Sequence, residues 1–474
     1  MRPSIKSAVV IAIATAIALQ LFAFGIGLPL NLRVLGDAYG YLAIADRLTT
    51  LTDVFTFAGD RTIGFPFFEF AVHKVVGLFT SSAHLQQWVD AICLALLIIH
   101  LIAAWFFARW AKNTNQLKSE NAAHLLFLFL ATCPVLIGHI TTPITDTLAV
   151  DLLLLAVVAT EYTFRANNKV KIAFFPVLAA FIFAFAILVR PSNMHAVGAA
   201  LLFVVGTSWL GIRRNAIRAG AIVVGCLLFL SPFYVSCKQK YGTICLQSPT
   251  TFNPVLSAQE GLKGARMLWA RLPWTPPGQL PVVPDPFMVE NYYRQCHLTS
   301  IAGFSDTSLT GCLLSRPLTT PILVVKKWIG LFEYFRFTPY LETATPPALR
   351  WLSRAYGALA WIGFALSFLA LFQWVRRNNL GSMKRALIDN PAPLLLICFS
   401  VVTLAQHTAL HVEERYGFPL IPLCALMLVM FGETAVTKVR TSGWGSVLPL
   451  GLFCAVALMI SLAQVLVWDL IVIL

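Results

Sequence analysis

Apolar residues in this chain run in long unbroken stretches instead of alternating with polar ones. About eleven such stretches of roughly 17–25 residues stand out. They lie near 8–30, 86–108, 121–137, 144–163, 171–189, 196–212, 217–236, 355–374, 391–410, 416–434 and 446–472. Each is long enough, as a helix rising 1.5 Å per residue, to cross a hydrocarbon layer of about 30 Å. Only helices and closed barrels satisfy their backbone in that solvent, and a barrel would show short alternating strands. The pattern predicts an all-α, polytopic membrane helix bundle with about 11 transmembrane helices.

Two segments between spans carry a pattern of their own. Residues 31–85 hold an amphipathic helix from Tyr39 to Leu51 and an apolar stretch from Phe65 to Phe79, interrupted by Glu69, His73 and Lys74. Both are expected to lie flat at the membrane interface. Residues 237–320 are rich in proline, glycine and aromatics, among them Trp269, Trp274, Tyr292 and Tyr293. An ordered outer loop with rings at headgroup depth is the expectation there. The chain then divides into an N-terminal transmembrane module (1–236) that includes the first outer loop (31–85), an outer loop with interfacial segments (237–354), and C-terminal transmembrane helices (355–474).

Composition supports the class. Of 474 residues 58% are hydrophobic and 12% charged, about half the charge of soluble domains. The net charge of +14 does not point to nucleic acid, because the basic residues fall in short inter-span loops. These are Arg2/Lys6, Arg109/Lys112/Lys118, Arg165/Lys169/Lys171, Arg213/Arg214/Arg218, Arg376/Arg377/Lys384/Arg385 and Lys438/Arg440. With the spans above, all six clusters share one side, cytoplasmic by the positive-inside rule and facing anionic membrane lipids. The first span follows basic residues as a signal peptide would, but it outruns an ordinary h-region and lacks a small-x-small site. A retained helix is expected. The implied location is a multi-pass protein of the bacterial inner (plasma) membrane with a cytoplasmic N-terminus.

Segments 31–85, 138–143, 190–195, 237–354 and 411–415 then face outward. Four of the ten cysteines, Cys237, Cys245, Cys296 and Cys312, belong to this side. An oxidising compartment permits any of three pairings, and free buried thiols are the alternative.

The same segments concentrate the candidate chemistry. Asp37 opens Asp37-Ala38-Tyr39-Gly40-Tyr41, with Tyr41, Ile44, Ala45 and Leu48 on one helical face. It reads either as an N-cap or as a general base at the mouth of an outward cavity. Asp146 ends Thr141-Thr142-Pro143-Ile144-Thr145-Asp146 and reads as a helix-start residue or as a second carboxylate. Arg61, Arg190 and Arg415 run against the usual loop bias. Each suits a salt bridge to Asp60, Glu413 or Glu414, and the three together suit a shared phosphate site. His407, His411 and Glu413 are spaced to converge but lack a firm third metal ligand.

At these residues the chain resembles the integral-membrane glycosyltransferases of the C-type fold (GT-C), in particular the dolichyl-phosphate-mannose-protein mannosyltransferase and aminoarabinose-transferase-like group. Asp37 matches that group's first-loop acid and Tyr41 its aromatic residue. Arg61-Thr62-Ile63-Gly64-Phe65-Pro66 is similar to its Arg-x-Pro-Gly-Tyr-Pro element, with Ile63 in place of proline, and Ala38 stands where a second acid is common. Thr142-Pro143 to Asp146 resembles the acid-bearing start of its fourth helix. Leu188-Val189-Arg190-Pro191 and Glu414-Arg415-Tyr416-Gly417-Phe418-Pro419 resemble its Arg-Pro and Glu-Arg-Tyr-x-x-Pro signatures.

The resemblance implies an inverting transfer of a sugar from a polyprenyl-phosphate carrier to a lipid, glycan or protein acceptor at the outer face. Asp37 would be the catalytic base, and Arg61, Arg190 and Arg415 would bind the donor phosphate. Asp146, Tyr41 and Glu414 would serve the acceptor or act as a second acid. It implies no certain cofactor and leaves a divalent metal open. Two rival readings share these charges: a transporter or flippase of a lipid-linked or anionic solute, and a lipid-linked glycan ligase or polymerase. The first would favour internal repeats and a midplane site. The second would favour arginines in a late loop, such as Arg266, Arg271, Arg294 and Arg316.

Overall fold

The computed structural model describes residues 5–34, 37–79, 84–209, 212–248, 267–269, 282–284, 328, 331, 345–377, 392–409 and 414–459. Fifteen α-helices are named here in chain order. They are α1 (Ile5–Ile26), α2 (Leu30–Arg33), α3 (Asp37–Ala45), α4 (Leu51–Phe55), α5 (Gly64–Gly77), α6 (Leu85–Asn113), α7 (Glu120–Ala131), α8 (Pro134–Ile140), α9 (Thr145–Arg165), α10 (Lys169–Val189), α11 (His195–Trp209), α12 (Arg213–Tyr241), α13 (Pro347–Arg377), α14 (Ala392–Ala409) and α15 (Ile421–Ser442). Residues 267–269 and 282–284 pair as a short antiparallel ladder with Leu268 opposite Val283.

The all-α membrane class holds. Among the described residues seven helices are long and apolar enough to cross a membrane, or eight if α7 and α8 form one bent span. That is fewer than the expected eleven. The span expected at 196–212 is the 15-residue α11, and the one at 391–410 is the 18-residue α14. The span expected at 446–472 begins as a helix to Met459 and continues outside the described residues. The 45° bend between α7 and α8 falls where Cys133 precedes Pro134, since proline drives its predecessor out of the α region.

α9 is the axis of the bundle. All but three of its 21 residues are buried, and α6, α8, α10 and α12 pack against it. Its C-terminal carbonyls are closed by arginines: Arg218 donates to Phe164 O at 2.6 Å and Ala166 O at 2.7 Å, and Arg214 to Ala166 O at 2.9 Å. Cationic groups at a helix C-terminus complement both its orphan carbonyls and its dipole. Some basic loop residues thus do structural work besides setting orientation.

Segment 31–85 folds differently from the expectation in detail. The helix expected from Tyr39 to Leu51 is α3, starting at Asp37 and stopping at Ala45. A new helix, α4, is nucleated by Thr50, whose hydroxyl accepts from Asp53 N while the Asp53 carboxylate accepts from Thr50 N. This capping box forces a break before it. The stretch 65–79 is α5, and Gly64, Phe65, Pro66, Glu69 and Phe70 are buried along it.

Candidate functional site

Asp37 occupies the first turn of α3, where the helix dipole favours a carboxylate. Ala38, Tyr41, Leu42 and Ala45 bury the other face. Arg61 reaches it from the irregular segment between α4 and α5: Nη2 donates to Asp37 Oδ1 at 2.6 Å. The same guanidinium lies 5.7 Å from the Tyr41 ring centroid, and Tyr41 meets Phe65 edge-on at 5.3 Å. Both partners keep access to solvent, with side chains 38% (Arg61) and 21% (Asp37) exposed. Arg61 thus pairs with Asp37. Of its five N–H donors the described hydrogen bonds use one.

Asp146 and Arg190 form the second pair. Asp146 lies in the first turn of α9 and Arg190 is the C-cap of α10, so each charge sits at the helix end that favours it. Pro191 restricts Arg190 to extended backbone, observed at φ −146° and ψ 111°. That ends α10 and sends the guanidinium back to Asp146. This pair is inside the protein, with Asp146 fully buried and Arg190 12% exposed.

One close contact joins the two pairs. A Cβ at Gly64 would overlap the backbone of Leu188 and Val189, so the start of α5 touches the end of α10. Arg61 lies three residues before this contact and Arg190 two residues after Val189's neighbour Leu188. The short arms, at no more than about 3.8 Å per residue, keep both arginines in one neighbourhood. The turn Glu414–Leu420 packs against α9, and its Phe418 ring sits 4.7 Å from His139 of α8. The side chains of Glu414 and Arg415 lie outside the described residues, as do His411, Glu413, the His407 side chain, Cys296 and Cys312.

Several charged groups were not singled out from sequence. Arg33 is fully buried and donates to Asp90 Oδ1 (2.7 Å), Thr141 O (2.9 Å), Ile26 O (3.2 Å) and Cys93 Sγ (3.4 Å). It ties the stretch before Asp37 to the stretch before Asp146. Its signal was a lone cation directly after an apolar span. His100 of α6 bonds Asp151 at 2.9 Å and Leu130 O at 3.0 Å, all buried. The carbonyl can only accept, so Nε2 carries a hydrogen. Glu69, expected at the interface, is wholly buried, and among the described residues neither of its oxygens has a hydrogen-bond partner. Burial pushes its carboxyl well above the usual range.

Among the described residues no three His, Cys, Asp or Glu side chains are grouped to hold a divalent metal, and Asp37 and Asp146 both face arginines.

No protein-family model matches the sequence, and no curated protein matches it. Solved structures do. The oligosaccharyltransferase AglB from Archaeoglobus fulgidus, in complex with an inhibitory peptide and a dolichol-phosphate, matches with a TM-score of 0.52 at 12% identity, over 97% of this chain and 54% of that one. This chain has the GT-C fold. The apo form of the A. fulgidus enzyme gives the same TM-score of 0.52 over the same shares, and its complex with zinc and sulfate gives 0.52 at 11% identity, over 96% and 53%. The chain therefore spans about half the length of these GT-C neighbours. At such identity the likeness concerns fold, and it agrees with the class to which the short motifs pointed.

Proposed function

We propose that this protein is a membrane glycosyltransferase that moves a sugar from a polyprenyl-phosphate donor to an acceptor hydroxyl or amide, inverting the anomeric carbon. The observation that carries the reading is the half-exposed Asp37–Arg61 pair, in a chain of GT-C fold. Transfer breaks the bond between the anomeric carbon and the phosphate oxygen, and the leaving polyprenyl phosphate gains negative charge. Arg61 has N–H donors in reserve to meet that charge, fixed in place before it develops. Arg190 and Arg415 would add to the positive field, Arg190 from behind because Asp146 engages it. Asp37 would take the acceptor's proton as the new bond forms. Tyr41 and Glu414 would line the acceptor side, with Asp146 buried against Arg190 behind them.

The groove between α4 and α12, about 580 Å³, is lined by Phe55, Pro232 and Val235 with Lys240 among its polar residues. It suits a prenyl chain whose phosphate lies near Arg61. The dolichol-phosphate of the AglB complex supports a donor of this class, and its peptide makes a protein one of three acceptor classes alongside lipid and glycan. An outward-facing site is supported by the Cys237–Cys245 disulfide, which needs an oxidising compartment and lies beside the loop carrying Arg61.

The test uses proteoliposomes containing polyprenyl-phosphate-linked sugars. Release of polyprenyl phosphate coupled to glycosylation of an added acceptor supports transfer. Movement of the intact lipid-linked sugar across the bilayer, with no release, would establish the transporter reading instead.

A further inference from the structure

Arg61 sits in a segment without regular structure, residues 56–63 between α4 and α5. Helical hydrogen bonds hold neither it nor its neighbours. Two anchors do. On one side Gly64 is seated on the backbone of Leu188 and Val189. On the other, all four carbonyls from Thr56 to Gly59 accept hydrogen bonds from the end of α12 and the turn that follows it, that of Phe57 at 3.5 Å from the Ser236 hydroxyl. The Ser236 hydroxyl donates to Thr56 O at 2.7 Å, the Lys240 ammonium donates to Ala58 O, and the Ser248 amide donates to Gly59 O at 2.7 Å. Tyr241 adds a longer bond to Ala58 O at 3.4 Å. Only residues 60–63 hang between the anchors, a span of at most about 14 Å.

The second anchor exists because α12 turns back on itself. Gly242 ends the helix in the left-handed region at φ +73°, with its N–H on Lys238 O at 2.8 Å; other residues enter that region only with strain. The reversal brings Cys245 to Cys237, and their disulfide closes a loop with a sequence separation of 8. Ser248, three residues past Cys245, is thereby held over Gly59. Of the three cysteine pairings left open by sequence, this one locks the chain beside Arg61.

We propose that the end of α12, locked by the Cys237–Cys245 disulfide, is a clamp that positions Arg61 against the phosphate of a polyprenyl-phosphate ligand. Ser236, Lys240 and Ser248 are its positioning residues. The inference rests on the phosphate role given to Arg61 above. Lys240 holds the Ala58 carbonyl and also lines the groove given to the prenyl chain, so its removal is read against farnesol, which shares the chain but not the phosphate, and against the Arg61→Ala background.

The experiment measures binding of farnesyl phosphate, a short polyprenyl phosphate, and of farnesol, which lacks the phosphate, to the full chain in detergent. Variants are Lys240→Met, the Cys237→Ser/Cys245→Ser pair, Arg61→Ala, and Arg61→Ala combined with each. Arg61→Ala is expected to weaken farnesyl phosphate about tenfold and farnesol hardly at all. Each clamp variant is expected to weaken farnesyl phosphate several-fold and farnesol not at all. Combined with Arg61→Ala it should add nothing, the non-additivity expected of residues that act through one another. A general loss of structure would lower both ligands, and Lys240→Met serves if the cysteine variant fails to fold. If Arg61→Ala weakens phosphate binding while the clamp variants do not, or add independently to it, the clamp is overturned and the phosphate reading stands. If Arg61→Ala leaves farnesyl phosphate binding unchanged, the phosphate role fails and takes the clamp with it.

Discussion

The Asp37–Arg61 and Asp146–Arg190 pairs use the same two side chains in opposite surroundings. The first keeps 21% and 38% of its side chains exposed, and the second 0% and 12%. Both acids begin helices, so dipole and pairing chemistry are alike. The difference is access. A carboxylate and guanidinium open to water can trade one partner for a ligand at modest cost, because exposed pairs are worth little to the fold. A buried pair cannot, because removing either partner strands a charge in the interior. The proposed function accordingly gives the chemistry to the first pair, while the second ties the start of α9 to the end of α10.

The sharpest break in this comparison is Asp37→Asn, expected to lower sugar transfer by about 10²- to 10⁴-fold, the range for a lost general base, while thermal unfolding in detergent stays near wild type. Asp146→Ala should do the reverse, costing about 3–5 kcal/mol of stability. Replacing both buried partners, with Asp146→Leu and Arg190→Met, should recover most of that loss in the same unfolding assay. A smaller effect concerns Glu69 on α5, the helix whose start joins the two pairs. Its folded carboxyl is raised above 4.5 by burial. Above that pH the unfolded chain gives up the proton while the folded chain keeps it, so stability falls as pH rises, by at most about 1.4 kcal/mol per unit. Glu69→Gln should flatten the profile and raise the melting temperature at neutral pH. An unchanged profile would refute the buried acid. The smallest effect is Thr50→Ala, which removes the cap of α4 beside the exposed pair and should cost about 1 kcal/mol. Circular dichroism melts would read this loss, with no change expected from the buried pair.

What the sequence made legible was local. The long apolar runs located nearly every helix because length and hydropathy are properties of one segment. The acids and arginines could be picked out because a charge in or beside an apolar span is rare. Their pairing could not. Arg61 suited Asp60 or the glutamates near 414, whereas it meets Asp37 because α3 and α5 pack together. Glu69 looked like a polar interruption at the interface, and it is buried because α5 lays that face against the bundle. The described residues show seven or eight of the eleven expected spans, because the 15-residue α11 is apolar by residue yet short as a helix. Arg33 carried only the weak signal of a cation beside an apolar span, since four acceptors drawn from α6, the end of α8 and its own neighbourhood explain its burial.

The most direct measurement of the central claim is a cryo-electron-microscopy structure of the full chain with a polyprenyl phosphate bound. The account predicts phosphate density within hydrogen-bond reach of Arg61, with the Asp37 carboxylate across a space wide enough for one sugar. Phosphate density among the basic loops at the far end of α9, around Arg214 and Arg218, would contradict it.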